Sequence, residues 1–293
     1  MPESPPSVLV LTALALEYAA VRAHVEDRQD LVHPGNGTIL EQGRLPGSPW
    51  QVALGELGEG ARAAAALTAS LIDWLRPRAV LFVGVAGSLK DDVGIGDVVV
   101  GTKVYGVHGA KVTAEGPLVR PEAWFGSNAL VQAARSAVRD MPDVRAHFKP
   151  IATGDIVLAD AGAEIARYVR QHYNDAAAIE MEGSGAAHAA HLCGQVDALV
   201  VRGISDRADA RKSDADAGGS QERAAGQAAS VAVAALRKYG PRDGGSVGSV
   251  GSVGSVGSVG SEEGPRAVYE GDHLDFRGGT FYGPVVGKRT RGR

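Results

Sequence analysis

The stretch Ala79-Val80-Leu81-Phe82-Val83-Gly84-Val85-Ala86-Gly87-Ser88 decides the fold. Its first five residues are an unbroken apolar run with Pro77 before it and a glycine-rich turn after it. A run this short, with no polar alternation, fits a strand covered on both faces. Just upstream, Ala61–Leu75 is alanine-rich and reads as a helix that Pro77 stops. Working outward, Val8–Thr12 reads as a short strand, and the turn at Gly96-Asp97 leads into a strand at Val98-Val99-Val100. Ala129–Val138 reads as a helix, and Ala176–Glu182 is strand-like and runs into an alanine-rich helix through His191. Ala198–Ile204 is another continuous apolar strand, and Gln221–Lys238 a final helix with Ser220 as its N-cap. Buried strands between helices predict an α/β fold, a central mixed sheet flanked by helices on both faces.

This organisation covers residues 7–240. From 241 to 265 the chain is a linker in which Gly-Ser-Val recurs five times, between Gly245 and Val259. Such a repeat stays flexible, because one apolar residue in three cannot build a core. Residues 266–293 form a short tail in which apolar residues alternate around Gly278-Gly279, as in a β-hairpin. A hairpin of this size is marginal by itself, so we expect a docking role toward a protein partner, by strand addition.

The 293 residues are 44% hydrophobic, enough for a sizeable core, and carry a net charge of -4, which gives no pull toward nucleic acid or an anionic membrane. The single cysteine, Cys193, excludes an intrachain disulfide and fits a cytoplasmic location. The first apolar run passes straight into Glu17 without a basic start, so a signal peptide is not expected, and no apolar run reaches the length of a membrane helix.

In sheets of this kind functional groups gather where strands end. Three strand ends carry carboxylates: Glu17 after the first strand, Glu180-Met181-Glu182 after Ala-Ala-Ile, and Ser205-Asp206 after Ile204. The fourth is the glycine-rich Gly84-Val85-Ala86-Gly87, which lacks the Gly-Lys-Ser/Thr of a phosphate-binding loop. By itself, Asp206 could equally cap the next helix, Glu17 could be a solvated first-turn residue, and Glu180 is more readily structural than Glu182. His188 and His191 lie three apart on a helix and are expected to pack; no metal or organic cofactor is implied.

Five motifs in order are Val83–Gly87, Val93–Val99, Thr153-Gly154-Asp155, Glu180-Met181-Glu182 and Val201–Asp206. Together they resemble the nucleoside phosphorylase superfamily, most closely its 5'-methylthioadenosine/S-adenosylhomocysteine nucleosidases. The resemblance implies the nucleoside phosphorylase/hydrolase fold, a purine nucleoside or nucleotide as the small-molecule substrate, and a homo-oligomer. It implies that Asp206 protonates purine N7 as the base leaves, with Ser205 beside it. Glu182 would bind the ribose hydroxyls and Glu17 would position the attacking water. Met181 would pack on the sugar, Val157 and Leu158 would flank the purine, and Val85, Ala86 and Gly87 would line the site.

The chemistry agrees with that division. Glycosidic cleavage builds an oxocarbenium-like sugar and a leaving base that needs a proton. Hydrolysis is favoured over phosphorolysis because Val85 stands where the family usually has a hydroxyl residue and no arginine precedes Gly84 in its strand. Phosphorolysis stays open as an alternative. So does a nucleotide-cleaving effector, for which Lys103, Lys111, Arg120 and Arg223 are candidate phosphate contacts, and so does a non-catalytic module that works through its tail.

Overall fold

The computed structural model describes residues 7–114, 116–154, 164–194, 196–207 and 219–241. The chain divides into two units, Met1–Asp243 and Gly244–Arg293. The expected repeat linker and hairpin tail lie outside the described residues, as do Val157 and Leu158.

The chain runs β1 (Ser7–Thr12), α1 (Ala15–Arg22), β2 (Glu26–Val32), β3 (Ile39–Arg44), β4 (Gln51–Glu56), α2 (Ala61–Leu75), β5 (Ala79–Ser88) and β6 (Val98–Gly106). It continues with β7 (Ala110–Thr113), β8 (Gly116–Val119), β9 (Glu122–Phe125), α3 (Asn128–Val138), β10 (Ala146–Thr153), α4 (Glu164–His172), β11 (Ala178–Glu180), α5 (Gly183–Leu192), β12 (Asp197–Asp206) and α6 (Ser220–Lys238). The large sheet has the order β11-β10-β6-β12-β5-β1-β4-β3-β2, with β9 paired to β6. It is mixed: β5 lies parallel to β1 and β12, while β12 and β6 are antiparallel.

Strand alternation divides the core. Val8 and Val10 of β1, with Leu81 and Val83 of β5, join residues of α1, α3 and α6 on one face. Leu9 and Leu11, with Val80 and Phe82, join residues of α2 and α5 on the other. Each of these buried Val or Leu side chains contributes about 1.5–3 kcal/mol. A smaller cluster around Val169 and Tyr173 packs under α4. Among the described residues no helix is long and apolar enough to cross a membrane.

Three local features differ from the sequence reading. The glycine-rich segment after Val83 is no turn, because β5 runs on through Gly84–Ser88, pairing with β12 as far as Gly87 and with β11 at Gly87 and Ser88. Ser220 is the first helical residue of α6, and the capping position is Gly219, at a φ of 69°. The polar β2, Glu-Asp-Arg-Gln-Asp-Leu-Val, is an exposed edge strand with few apolar residues to announce it.

The short β11 closes the sheet on itself. It pairs parallel to β10 and antiparallel to β5, so β5, β12, β6, β10 and β11 form a ring. Where α6 begins, it lies directly against β12. Far along its length it is fastened by Trp50, whose Nε1 donates to the carbonyls of Leu236 at 3.0 Å and Tyr239 at 2.7 Å.

Two glycines test this packing. A Cβ on Gly203 of β12 would fall on the Ala224 backbone of α6, whereas one on Gly226 of α6 would meet nothing within 4 Å. Gly203→Ala is therefore expected to cost at least about 1–3 kcal/mol by overpacking. Gly226→Ala, in a helix interior, should stabilise by roughly 0.5–1 kcal/mol. Urea unfolding of both variants reads the difference; a Gly203→Ala protein as stable as its parent would contradict the packing.

Candidate active site

Arg202 sits in the middle of β12, between two layers of apolar side chains, with no exposed surface. An isolated charge there would cost several kcal/mol. Three glutamates surround it. Its Nη2 donates to Glu180 Oε2 and, at 3.3 Å, to Glu182 Oε2, and its Nη1 lies 3.8 Å from Glu17 Oε1. The guanidinium also lies over the Phe82 ring, 4.9 Å from its centroid. Burial opposes the charge, but the three carboxylates outweigh it and hold the guanidinium's pKa above its ordinary value. Gly84 makes room, since a Cβ there would overlap both Arg202 and Glu17. Arg202 Nε and Nη1 have no hydrogen-bond partner among the described residues.

Each glutamate is held by the end of an element. Glu17 lies in the first turn of α1, where an acidic side chain suits exposed backbone N–H groups. Its Oε2 accepts from the N–H groups of Ala13 at 2.8 Å and Leu14 at 3.0 Å, and its Oε1 from that of Val85 at 2.7 Å. Glu17 is thus a buried bridge between α1 and β5, only 2% exposed, and not a solvated helix residue.

Glu180 closes β11. Its carboxylate accepts from Thr153 Oγ1 and from the backbone N–H groups of Glu182 at 3.1 Å and Gly183 at 2.8 Å. With Arg202 added, four donors meet this one carboxylate, three of them at Oε2, which suits a role in supporting its neighbours. Glu182 occupies the capping position of α5, and its Oε1 accepts from the Gly60 N–H, just before α2, at 3.0 Å. Burial raises its pKa to about 7, against the pull of Arg202 and with a push from Glu180.

Asp206 reaches the site through an irregularity. Along β5 and β12, Ile204 pairs with Ala86, but Gly87 pairs with Asp206, so β12 holds one extra residue, Ser205. Such a bulge re-aims the side chains that follow it. Ser205 Oγ donates to Asp206 Oδ2 at 3.0 Å, and Asp206 is 2% exposed.

The fold thus brings together Glu17, Glu182, Ser205, Asp206 and the β5 segment Val85, Ala86 and Gly87, with Met181 half-buried next to Glu182. The four candidate phosphate contacts lie on β6, on and just after the β7–β8 pair, and in the first turn of α6. Lys103 Nζ is bound to Asp175 Oδ2 at 2.9 Å and lies over the Tyr105 ring. Lys111 belongs to the separate β7–β8 pair and is exposed, Arg120 is exposed just after it, and Arg223 is exposed in the first turn of α6. His188 stacks on Trp124 with centroids 4.9 Å apart, as a packed histidine does, while His191 is exposed. Sequence reasoning missed Arg202. The available signal was an arginine inside an apolar strand, tolerable only if paired.

The model of the Phosphorylase superfamily matches residues 7–237, and the chain belongs to that superfamily. Within it, the chain is 30% identical over 242 residues to the 5'-methylthioadenosine/S-adenosylhomocysteine nucleosidase of Chromohalobacter salexigens, covering 80% of this chain and 97% of that one. The nucleosidase of the same name from Shewanella loihica is 31% identical over 205 residues, 68% of this chain and 86% of its own. Among solved structures, the nucleosidase of this type from Colwellia psychrerythraea, in complex with adenine, superimposes with a TM-score of 0.71 at 26% identity, covering 80% of this chain and 96% of that one. Futalosine hydrolase of Helicobacter pylori shares the fold, with a TM-score of 0.69 at 22% identity, covering 79% of this chain and 97% of its own.

Removing the guanidinium leaves the glutamates buried without compensation. Arg202→Met is expected to lower stability at pH 7 by about 3–5 kcal/mol. The loss should shrink at pH 5. Glu182, whose pKa burial already holds at about 7, loses the opposing pull of the arginine and protonates more readily, so the uncompensated negative charge is relieved as pH falls. Urea unfolding at the two pH values measures both, and equal stability of variant and parent at pH 7 would refute the cluster's role.

Proposed function

We propose that the chain hydrolyses the N-glycosidic bond of an adenine nucleoside of the methylthioadenosine/adenosylhomocysteine type, releasing adenine. The observation that carries the proposal is the gathering of Glu17 and Glu182 at element ends around one buried arginine of β12, with Asp206 at the end of that same strand beside the β5 segment that Glu17 binds. The named relatives act in the same superfamily over most of this chain.

In this reading Asp206 is the general acid. It gives its proton to N7 as the glycosidic electrons move into the purine, with Ser205 Oγ fixing the carboxyl's orientation. Glu182 accepts hydrogen bonds from the ribose hydroxyls and stabilises positive charge growing on the sugar. Glu17 takes the proton of the attacking water, which Arg202 Nη1, 3.8 Å from the Glu17 carboxylate, helps to orient. Glu180 binds no substrate and holds Arg202 and the α5 terminus in place. The electrostatics support water over phosphate, since three glutamates face one arginine and a phosphate dianion would meet net negative charge.

The test is adenine release in phosphate-free buffer, followed by chromatography, from methylthioadenosine, S-adenosylhomocysteine, adenosine and ATP. Adenine is expected from the first two. Asp206→Asn should lower kcat by about 10²–10⁴-fold with the circular dichroism spectrum unchanged. Release from ATP only would transfer the proposal to nucleotide cleavage, a strict need for phosphate would transfer it to phosphorolysis, and no release from any substrate would defeat it.

The raised Glu182 pKa sets a pH dependence. The carboxylate is the stronger acceptor for the hydroxyls and the form that stabilises positive charge on the sugar, and it forms as pH rises through about 7. Thus kcat/KM should increase about tenfold per unit below that value and level off above it. A Glu182→Gln enzyme, with lower activity throughout, should lack this limb. Retention of the limb would reassign it to another group.

A further inference from the structure

We infer that Asp97 is a positioning residue for Asp206, acting through the turn 93–97 that braces the end of β12; this rests on the reading of Asp206 as the acid. The regular pairing of β12 with β6 stops at Gly203 and Val98. Beyond it the turn takes over the ladder: Gly96 N–H donates to the Ile204 carbonyl at 2.8 Å, and Ile204 N–H donates to the Asp97 carbonyl at 2.8 Å. The next two residues are the bulged Ser205 and Asp206, held on the opposite side by Gly87. The strand end that aims Asp206 is therefore clamped between β5 and this turn.

The turn needs its own support, because Gly96 stands at a φ of 90° and Ile95 is 39% exposed. Ser88 Oγ donates to the Val93 carbonyl at 2.9 Å and so ties the first residue to β5. The Asp97 carboxylate closes the other end. Its Oδ2 accepts from Gly94 N–H at 2.9 Å and from His147 Nε2 at 2.8 Å, and Arg145 Nε lies 3.7 Å away. A carboxylate only accepts, so His147 Nε2 carries the hydrogen. Asp97 links the turn to the start of β10 and, through the two backbone bonds at Ile204, to the acid. A misplacement of about 1 Å in a catalytic group costs on the order of 10²-fold in rate.

The experiment measures kcat and KM for methylthioadenosine with the full chain, alongside unfolding midpoints. Asp97→Ala is expected to lower kcat about 10- to 100-fold with KM within about threefold of the parent. Asp97→Asn, whose amide oxygen still accepts from Gly94 N–H, should recover kcat to within about threefold of the parent. Lys149→Ala, which breaks the exposed Lys149–Asp92 pair on the same strand, should leave both constants unchanged. If Asp97→Ala does not fold, His147→Leu is read instead, with a kcat loss of about three- to tenfold at constant KM. A parental kcat in Asp97→Ala, or an equal loss in Lys149→Ala, overturns the inference. The Asp206→Asn enzyme is the reference: inactive, it leaves only the Asp97 inference at risk; as active as the parent, it removes the reading of Asp206 itself.

Discussion

A single guanidinium in the interior sets the terms for the rest of the molecule. Arg202 has no exposed surface, and the desolvation of its charge must be offset by opposite charge nearby. Glu17, Glu180 and Glu182 supply it, and none of them is free to be elsewhere. Each is fixed by backbone N–H groups at the start of a helix or next to one, so the cluster is set by main-chain geometry as much as by side-chain attraction. This rigidity suits a site whose proposed task is to meet charge as it develops, since dipoles that are already oriented need no reorganisation.

The ring of β5, β12, β6, β10 and β11 makes the cluster possible. β11 is only three residues long, yet its pairing with both β10 and β5 brings Glu180 and the α5 capping residue Glu182 against Arg202. An open sheet would leave these glutamates at a far edge. The bulge at Ser205 completes the geometry, because it lets β12 carry Arg202 inward and still deliver Asp206 at its end.

Much of this was legible in the chain, for identifiable reasons. The strands β1, β5 and β12 read correctly because strands covered on both faces are continuous apolar runs, and the helix at Ala61–Leu75 was bounded by its alanines and Pro77. β2 and β3 did not read because the exposed edge strand β2 and the half-covered β3 beside it have no such continuous apolar run. Gly84 to Gly87 read as a turn, since glycine commonly signals one; here Gly84 yields its side-chain volume to Arg202 and Glu17 inside a strand. Glu17, Glu182 and Asp206 were singled out by their places at strand ends. Arg202 was not, because one residue in one strand does not show which partners the fold will bring to it. Ser205's extra register position is likewise a property of two strands together.

The missing side chain at Gly84 has an evolutionary meaning. Any side chain there collides with Arg202 and Glu17; loss of Arg202 strands three carboxylates; loss of a glutamate leaves the arginine short of countercharge. No member of the set has a neutral single step away from it. The group can be inherited or replaced, but only as a block, so a descendant that takes up a new substrate would vary the walls around this cluster long before the cluster itself.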